Sequence, residues 1–302
     1  MENKKILITG GCGFVGGNIA RHLAKNNDVI IVDDLRYKKF IPEKLHYLLY
    51  PKGCNIIEGD LWKANAMTYD VLIHAATVNI IDSMTNPKGC VETNWEKTVS
   101  LFDSVPESAQ ILYLSTSSVY GQATMLPTPE ADRISATSYY AMTKYMAEMY
   151  LRSIRKDACI LRLSNVYGDY QMPHNAYAGV MSKLLRARLK DEQFIIYGDG
   201  QDTRDYTHVW DVVSAVELAL DKNLRGVYNV GTGIETSVNN LTWMVGVENI
   251  IQVEPRSIDN IKRRCIDARQ LTMDTGWEPK IDLKTGIGMT KVWMDKTRIF
   301  DK

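Results

Sequence analysis

The chain has no charge of one sign in excess: Lys plus Arg and Asp plus Glu each number 36 among 302 residues. With no net field, neither nucleic acid nor an anionic membrane surface is attracted by bulk electrostatics, so any phosphate recognition must be local. Paired cysteine motifs are missing too. Cys12, Cys54, Cys90, Cys159 and Cys265 are odd in number, scattered and free of CxxC spacing, which argues against a zinc site or a disulfide framework and predicts a reducing cytoplasm with no metal. No run approaches the roughly 18 apolar residues of a membrane span. The opening apolar stretch contains Gly-Gly and reads as a strand rather than as a cleavable signal. Internal repeats and low-complexity tracts are also lacking, and the length suits one large α/β domain or two joined ones.

What is present begins with "ILITGGCGFVGGNIA", residues 6–20. The run 6–9 is of β type, glycines follow, and 14–25 carries helical apolar spacing, which predicts strand, tight turn and helix. Such a turn lets a pyrophosphate reach bare N–H groups at the positive end of a helix, where side chains would block its approach. The next β run, 29–32, ends at Asp33, about 20 residues beyond the glycines and suitably placed to accept hydrogen bonds from an adenosine ribose. A 2′-phosphate there would meet a carboxylate, which favours NAD over NADP. Further β runs at 55–57, 71–74, 111–114 and 159–163, spaced for crossover helices, predict a doubly wound parallel sheet. After residue 165 the pattern loosens through "GDYQMPHNAYAG" into the basic helical stretch "VMSKLLRARLKDE", which reads as the start of a smaller cap domain.

Two stretches point to chemistry. "ILYLSTSSVYG" (111–121) is a strand emptying into a hydroxyl-rich loop, which places Thr116, Ser117 and Ser118 in the crevice at the carboxyl end of an open sheet. In "SYYAMTKYMAE" (138–148), Tyr140 and Lys144 are four apart and share one helix face. Tyr139 lies five from Lys144, off that face, and is expected to pack or to touch substrate.

Gly10-x-x-Gly13-x-x-Gly16, Asp33, "GDL" (59–61), "HAA" (74–76), Asn94, "STSSVYG", Tyr140-x-x-x-Lys144, "LRLSNVYG" (161–168), "YGDGQDTRDYTHVWD" (197–211) and "YNVGTG" (228–233) occur in this order. The set resembles the extended short-chain dehydrogenase/reductase family, in its NAD-dependent nucleotide-sugar epimerase/dehydratase branch. The resemblance runs from about residue 4 to "TGWEPKIDLKTGI". It implies a Rossmann-type α/β fold with a smaller C-terminal α/β substrate-binding domain, divided as 1–164 with 205–232 and 165–204 with 233–302. It also implies that Tyr140 is the acid/base, Lys144 its partner, both also contacting the cofactor, and Thr116 the hydroxyl that shares the reacting sugar oxygen. A nearby ammonium and a positive nicotinamide would both favour the Tyr140 phenolate. By the same resemblance the backbone at Phe14 and Val15 meets the pyrophosphate, Asp60 and Leu61 flank adenine, and Ala75 and Ala76 lie under the nicotinamide ribose. Asn94 organises neighbouring strands, and His74 is a buried structural residue. Ser117, Asn165 and Arg204 face the substrate, and Arg263 or Arg264 completes an anion clamp for the diphosphate. Relatives pair through helices equivalent to about 94–103 and 139–153, so a homodimer is expected.

Departures from the family pattern narrow the reaction. Relatives that dehydrate a sugar carry Asp-Glu directly after the Thr, and decarboxylases commonly carry a Glu in that stretch. Here Ser117 and Ser118 stand there and cannot serve as acid and base. A 4-epimerase needs no such pair. The reading is therefore an NAD-dependent nucleotide-sugar 4-epimerase of UDP-glucose/UDP-galactose type working through a 4-keto intermediate. A 4-keto-sugar reductase stands as the alternative, a 4,6-dehydratase or decarboxylase after it, and a non-catalytic NAD-binding protein as a reading of another class.

Overall fold

The computed structural model describes residues 1–174, 178–255 and 261–300. The apolar runs become strands β1 (Lys5–Thr9), β2 (Asp28–Asp33), β3 (Cys54–Glu58), β4 (Val71–His74), β5 (Gln110–Thr116) and β6 (Cys159–Leu163). Shorter strands follow: β7 (Asn165–Tyr167), β8 (Phe194–Tyr197), β9 (Thr203–His208), β10 (Gly226–Val230), β11 (Glu235–Ser237), β12 (Ile250–Val253) and β13 (Arg263–Arg264). The helices are α1 (Phe14–Leu23), α2 (Ile80–Thr85), α3 (Pro87–Val91), α4 (Thr98–Ser104), α5 (Tyr139–Ile154), α6 (Val180–Lys190), α7 (Val209–Asp221), α8 (Val238–Val245), α9 (Arg269–Thr275) and α10 (Leu283–Lys296).

Seven strands form one parallel sheet in the order β10-β6-β5-β4-β1-β2-β3. Alternation along β1 explains why both faces are covered: Ile6 and Ile8 join Ile19 of α1 and Val216 of α7, while Leu7 on the opposite face joins Phe102 of α4 and Leu151 of α5. These side chains are fully or almost fully buried, and each stabilises the fold by about 1.5–3 kcal/mol. The strand order reverses between β1 and β4, so loops leaving their carboxyl ends diverge and open a crevice there.

The chain after β6 builds smaller sheets. In one, β9 lies between antiparallel β11 and parallel β13, with β7 also pairing to β9; β8 and β12 form a separate two-stranded parallel sheet. A second core lies beneath them, where Leu184 and Leu185 of α6 and Met294 of α10 pack with Ile41, Leu45 and Leu48. Segment 41–50, early in the sequence, therefore helps to wall the late region. Residues 92–97 form a π-helical turn that runs into α4, so the helix expected over about 94–103 opens as a π turn.

Candidate active site

The glycine turn joins β1 to α1. Gly10 has φ +70°, and a Cβ there would lie 2.6 Å from the Ala76 Cα; a Cβ on Gly16 would lie 2.4 Å from the Gly10 carbonyl oxygen. These two glycines are thus required by the protein's own backbone, which corrects the expectation that all three clear space for a ligand. Gly13 is the exposed one, and a Cβ on it would meet only the Gly10 oxygen at 3.1 Å. It is the N-cap of α1 and provides no side-chain cap, so the first N–H groups of the helix are left to an external acceptor. The Asp33 carboxylate reinforces the turn, accepting from the Cys12 N–H at 2.9 Å and the Leu35 N–H at 2.8 Å.

In front of this turn lies a cavity of about 370 Å³. Gly10, Gly13, Phe14, Val15, Gly16, Asp33, Asp60, Leu61, Ala75 and Ala76 all line it, so the expected cofactor set other than Tyr140 and Lys144 converges on one space. A bare helix N-terminus, glycine at the approach and a carboxylate at the far strand end suit a dinucleotide of the NAD type. Lys97, a residue the sequence reading did not single out, also lines the cavity and pairs with Asp60 at 2.6 Å and Glu92 at 2.7 Å. Asn94 staples the loop after β4: its amide oxygen accepts from the Val78 N–H at 2.7 Å and its nitrogen donates to the Val78 carbonyl at 2.9 Å. His74 is completely buried between the Thr9 hydroxyl at 2.6 Å and the Thr98 hydroxyl at 3.0 Å. Burial and the Lys144 charge hold it well below the usual imidazole range, which fits a structural histidine.

Ser138 caps α5 by accepting from the Ala141 N–H at 3.2 Å, and this start sets the helix phase. Tyr140 and Lys144 consequently turn inward while Tyr139 is 51% exposed. Thr116, at the end of β5, accepts from the Ser118 N–H at 3.1 Å, and its hydroxyl acts on the Tyr140 phenol, pulling its pKa down. Lys144 is buried, with Nζ 4.1 Å from the centroid of the Tyr113 ring. Burial lowers its pKa to about 7, against the opposing pull of Glu148 and Cys90. Burial also raises Tyr140, opposed by the Thr116 hydrogen bond and the Arg264 charge. Among the protein groups acting on the phenol, burial outweighs the Thr116 hydroxyl and the Arg264 charge that favour the phenolate. Ser117 and Ser118 are both buried beside Thr116.

Facing this cluster is the small sheet. Arg204 and Arg264 are register partners on β9 and β13, and Asn165 pairs with Tyr206, two residues along β9 from Arg204. Cross-strand partners and alternate residues share a face, so Asn165, Arg204 and Arg264 lie on one side. Arg263 is on the other, exposed and paired with Glu235. The register thus separates the two arginines that the sequence left open, with Arg264 on the side whose charge acts on Tyr140.

Sequence reasoning missed the groups behind Lys144. Glu148 is fully buried and bonded to Arg162 and to the Ser115 hydroxyl. Its spacing was the available signal: residues 140, 144 and 148 fall on one helix face.

A family model described as "NAD dependent epimerase/dehydratase family" matches residues 6–231. The chain is 36% identical over 307 residues to a putative UDP-glucose 4-epimerase of Methanocaldococcus jannaschii, covering 96% of this chain and 98% of that one. It is 28% identical to a UDP-N-acetyl-alpha-D-glucosaminuronate decarboxylase of Bacillus cytotoxicus, covering 96% and 97%. Among solved structures, the UDP-glucose 4-epimerase of Thermotoga maritima with UDP-glucose superposes with a TM-score of 0.87 at 28% identity, over 97% of this chain and 99% of that one. With the glycine turn, the paired Tyr140 and Lys144 helix and these matches together, the chain belongs to the NAD dependent epimerase/dehydratase family.

Proposed function

We propose that the protein is an NAD-dependent nucleotide-sugar 4-epimerase of UDP-glucose/UDP-galactose type. The observation that carries the reading is the set of buried Thr116 and Lys144 with half-buried Tyr140, the threonine followed by two serines. Neither Ser117 nor Ser118 can act as the acid or base that elimination of water requires. The turn at residues 10–16 with Asp33, Asp60, Leu61, Ala75 and Ala76 would hold NAD, which when bound would supply a reversible hydride acceptor for the sugar C4. Tyr140 takes the proton from the C4 hydroxyl and later returns it, and Thr116 holds the same oxygen in line. Lys144 supplies positive charge behind the phenol, the electrostatic support a developing phenolate needs. Asn165, Arg204 and Arg264 form the diphosphate side. Guanidinium forks bind those oxygens locally, as a chain of zero net charge demands. Ser117 touches the sugar.

In this reading residues 1–164 with 205–232 hold the cofactor and 165–204 with 233–302 hold the sugar nucleotide. The enzyme works as a cytoplasmic homodimer. Exposed Tyr139, Met142, Met146 and Met149 form a stripe along α5 that supports pairing through this helix, and no cysteine is in a disulfide.

The test is incubation of purified protein with a panel of nucleotide sugars, with and without NAD(P)H, followed by product analysis. Interconversion of UDP-glucose and UDP-galactose without added reductant is expected. Consumption of reductant with a 4-keto sugar, or loss of water or carbon dioxide, would overturn the reading.

A further inference from the structure

Behind Lys144 lies an ion pair that the proposed proton transfer does not use. Glu148 is 0% exposed and Arg162, on β6, 3%. The Arg162 Nε donates to both Glu148 oxygens at 3.1 Å, and a terminal nitrogen donates to Oε2 at 2.6 Å. The Ser115 hydroxyl donates to Oε1. The other terminal nitrogen of Arg162 donates to the Tyr120 hydroxyl at 2.9 Å, which in turn donates to Asn229 at 2.7 Å. A buried ion pair is poor evidence of stabilisation, because desolvating two charges costs about as much as their attraction returns. Its placement is what calls for an explanation. Glu148 is one turn beyond Lys144 on α5 and is bonded to the residue immediately before Thr116.

We propose that Glu148, clamped by Arg162, is the positioning residue for Lys144, keeping its amine protonated and aimed along the helix face toward Tyr140. The proposal rests on the catalytic reading of Tyr140 and Lys144. Its physical basis is a contest. Burial opposes the Lys144 charge, and the aromatic face of Tyr113 gives only partial compensation. Around the amine, α3 presents the Cys90 thiol, β4 the neutral His74, β5 the Tyr113 ring and α5 Glu148. Glu148 is the only carboxylate among these groups. Arg162 holds that carboxylate in place through three hydrogen bonds, and the bond to Ser115 ties its position to the strand carrying Thr116. One buried anion thereby registers the helix bearing Tyr140 and Lys144 against the loop bearing the reacting hydroxyl.

The test follows Lys144 directly, by NMR titration of the purified protein carrying carbon-13-labelled lysine, with Lys144→Met to assign the signal. Two variants are compared with the parent: Glu148→Gln, which leaves Arg162 without its counter-charge, and Glu148→Gln with Arg162→Gln, which removes both charges. In Glu148→Gln, Lys144 should lose its proton at least about one pH unit lower than in the parent, the size expected for removal of a nearby opposite charge; in the double variant, where a cation leaves with the anion, the shift should have the same direction and be smaller. The alkaline limb of kcat/KM should move down by the same amount. At neutral pH kcat should fall about 10-fold or more while KM stays within about 2-fold, since the substrate side is untouched. Glu148→Asp should restore part of the loss. An unchanged Lys144 titration in Glu148→Gln overturns the proposal, and so does a shift toward higher pH in the double variant. Failure of the catalytic reading shows separately, as unimpaired turnover in Tyr140→Phe, while the NMR arm still decides the role of Glu148.

Discussion

The glycine turn at residues 10–16 and the inner face of α5 work by opposite means. The turn acts through backbone: N–H groups at a bare helix end, and glycines that let Gly10 lie against Ala76 and Gly16 against the Gly10 carbonyl. The α5 face acts through side chains whose charges are shifted by burial, with Tyr140 raised and Lys144 lowered to about 7. Backbone recognition tolerates no added atom, whereas side-chain chemistry tolerates changes of shape and fails on changes of charge. Substitutions in the two regions should therefore fail differently.

The largest effect is expected at Tyr140. Tyr140→Phe keeps the ring and removes the transferable proton, so kcat should fall by at least about 10²-fold, while calorimetry finds NAD affinity unchanged. Gly16→Ala should do the reverse. Its new methyl would meet the Gly10 carbonyl, so the turn must shift, at a cost of about 1–3 kcal/mol by analogy with overpacking. Thermal melting should show lower stability, and calorimetry a weaker NAD site.

These two regions were also unequally legible before the fold was known. Gly10, Gly13, Gly16 and Asp33 declare themselves by spacing, because a dinucleotide turn needs a fixed backbone path between adjacent elements. Tyr140 and Lys144 are visible as one helical turn. The sequence could not show the sign of the Tyr140 shift, which depends on burial contributed by distant segments. It could not decide between Arg263 and Arg264 either, since only the pairing of β13 with β9 fixes which side chain faces inward. Nor does the sequence tell that Ile41, Leu45 and Leu48 wall the late core; they adjoin it only in three dimensions. Glu148 was within reach by periodicity, but its partner Arg162 lies on a strand that reads as apolar filling.

On the substrate side, Arg264→Ala should raise KM for the nucleotide sugar about 10- to 100-fold, the loss expected for hydrogen bonds to a charged group of about 1.5–3 kcal/mol. Arg263→Ala should leave KM unchanged, because its partner is Glu235 on the opposite face. Equal effects of the two substitutions would break the register argument.

The smallest expected effect is on stability. The unfolded chain holds the Lys144 proton up to about its ordinary pKa of 10.4, whereas the folded chain releases it near 7. Between these values the unfolded state binds more protons, so this group makes stability rise with pH and costs stability below about 7. Lys144→Met should therefore gain more in melting temperature at pH 6 than at pH 9, while losing activity. A pH-independent difference would show that burial does not suppress the Lys144 charge.

The most direct measurement of the central claim is the fate of hydrogen at the sugar C4. UDP-glucose deuterated at C4, incubated with the purified enzyme and no added reductant, should give UDP-galactose that keeps its deuterium at C4, with no net NADH and no solvent hydrogen at any sugar carbon. Deuterium transferred to C6, solvent hydrogen appearing at C5, or product that forms only as added NAD(P)H is consumed would contradict the epimerase account.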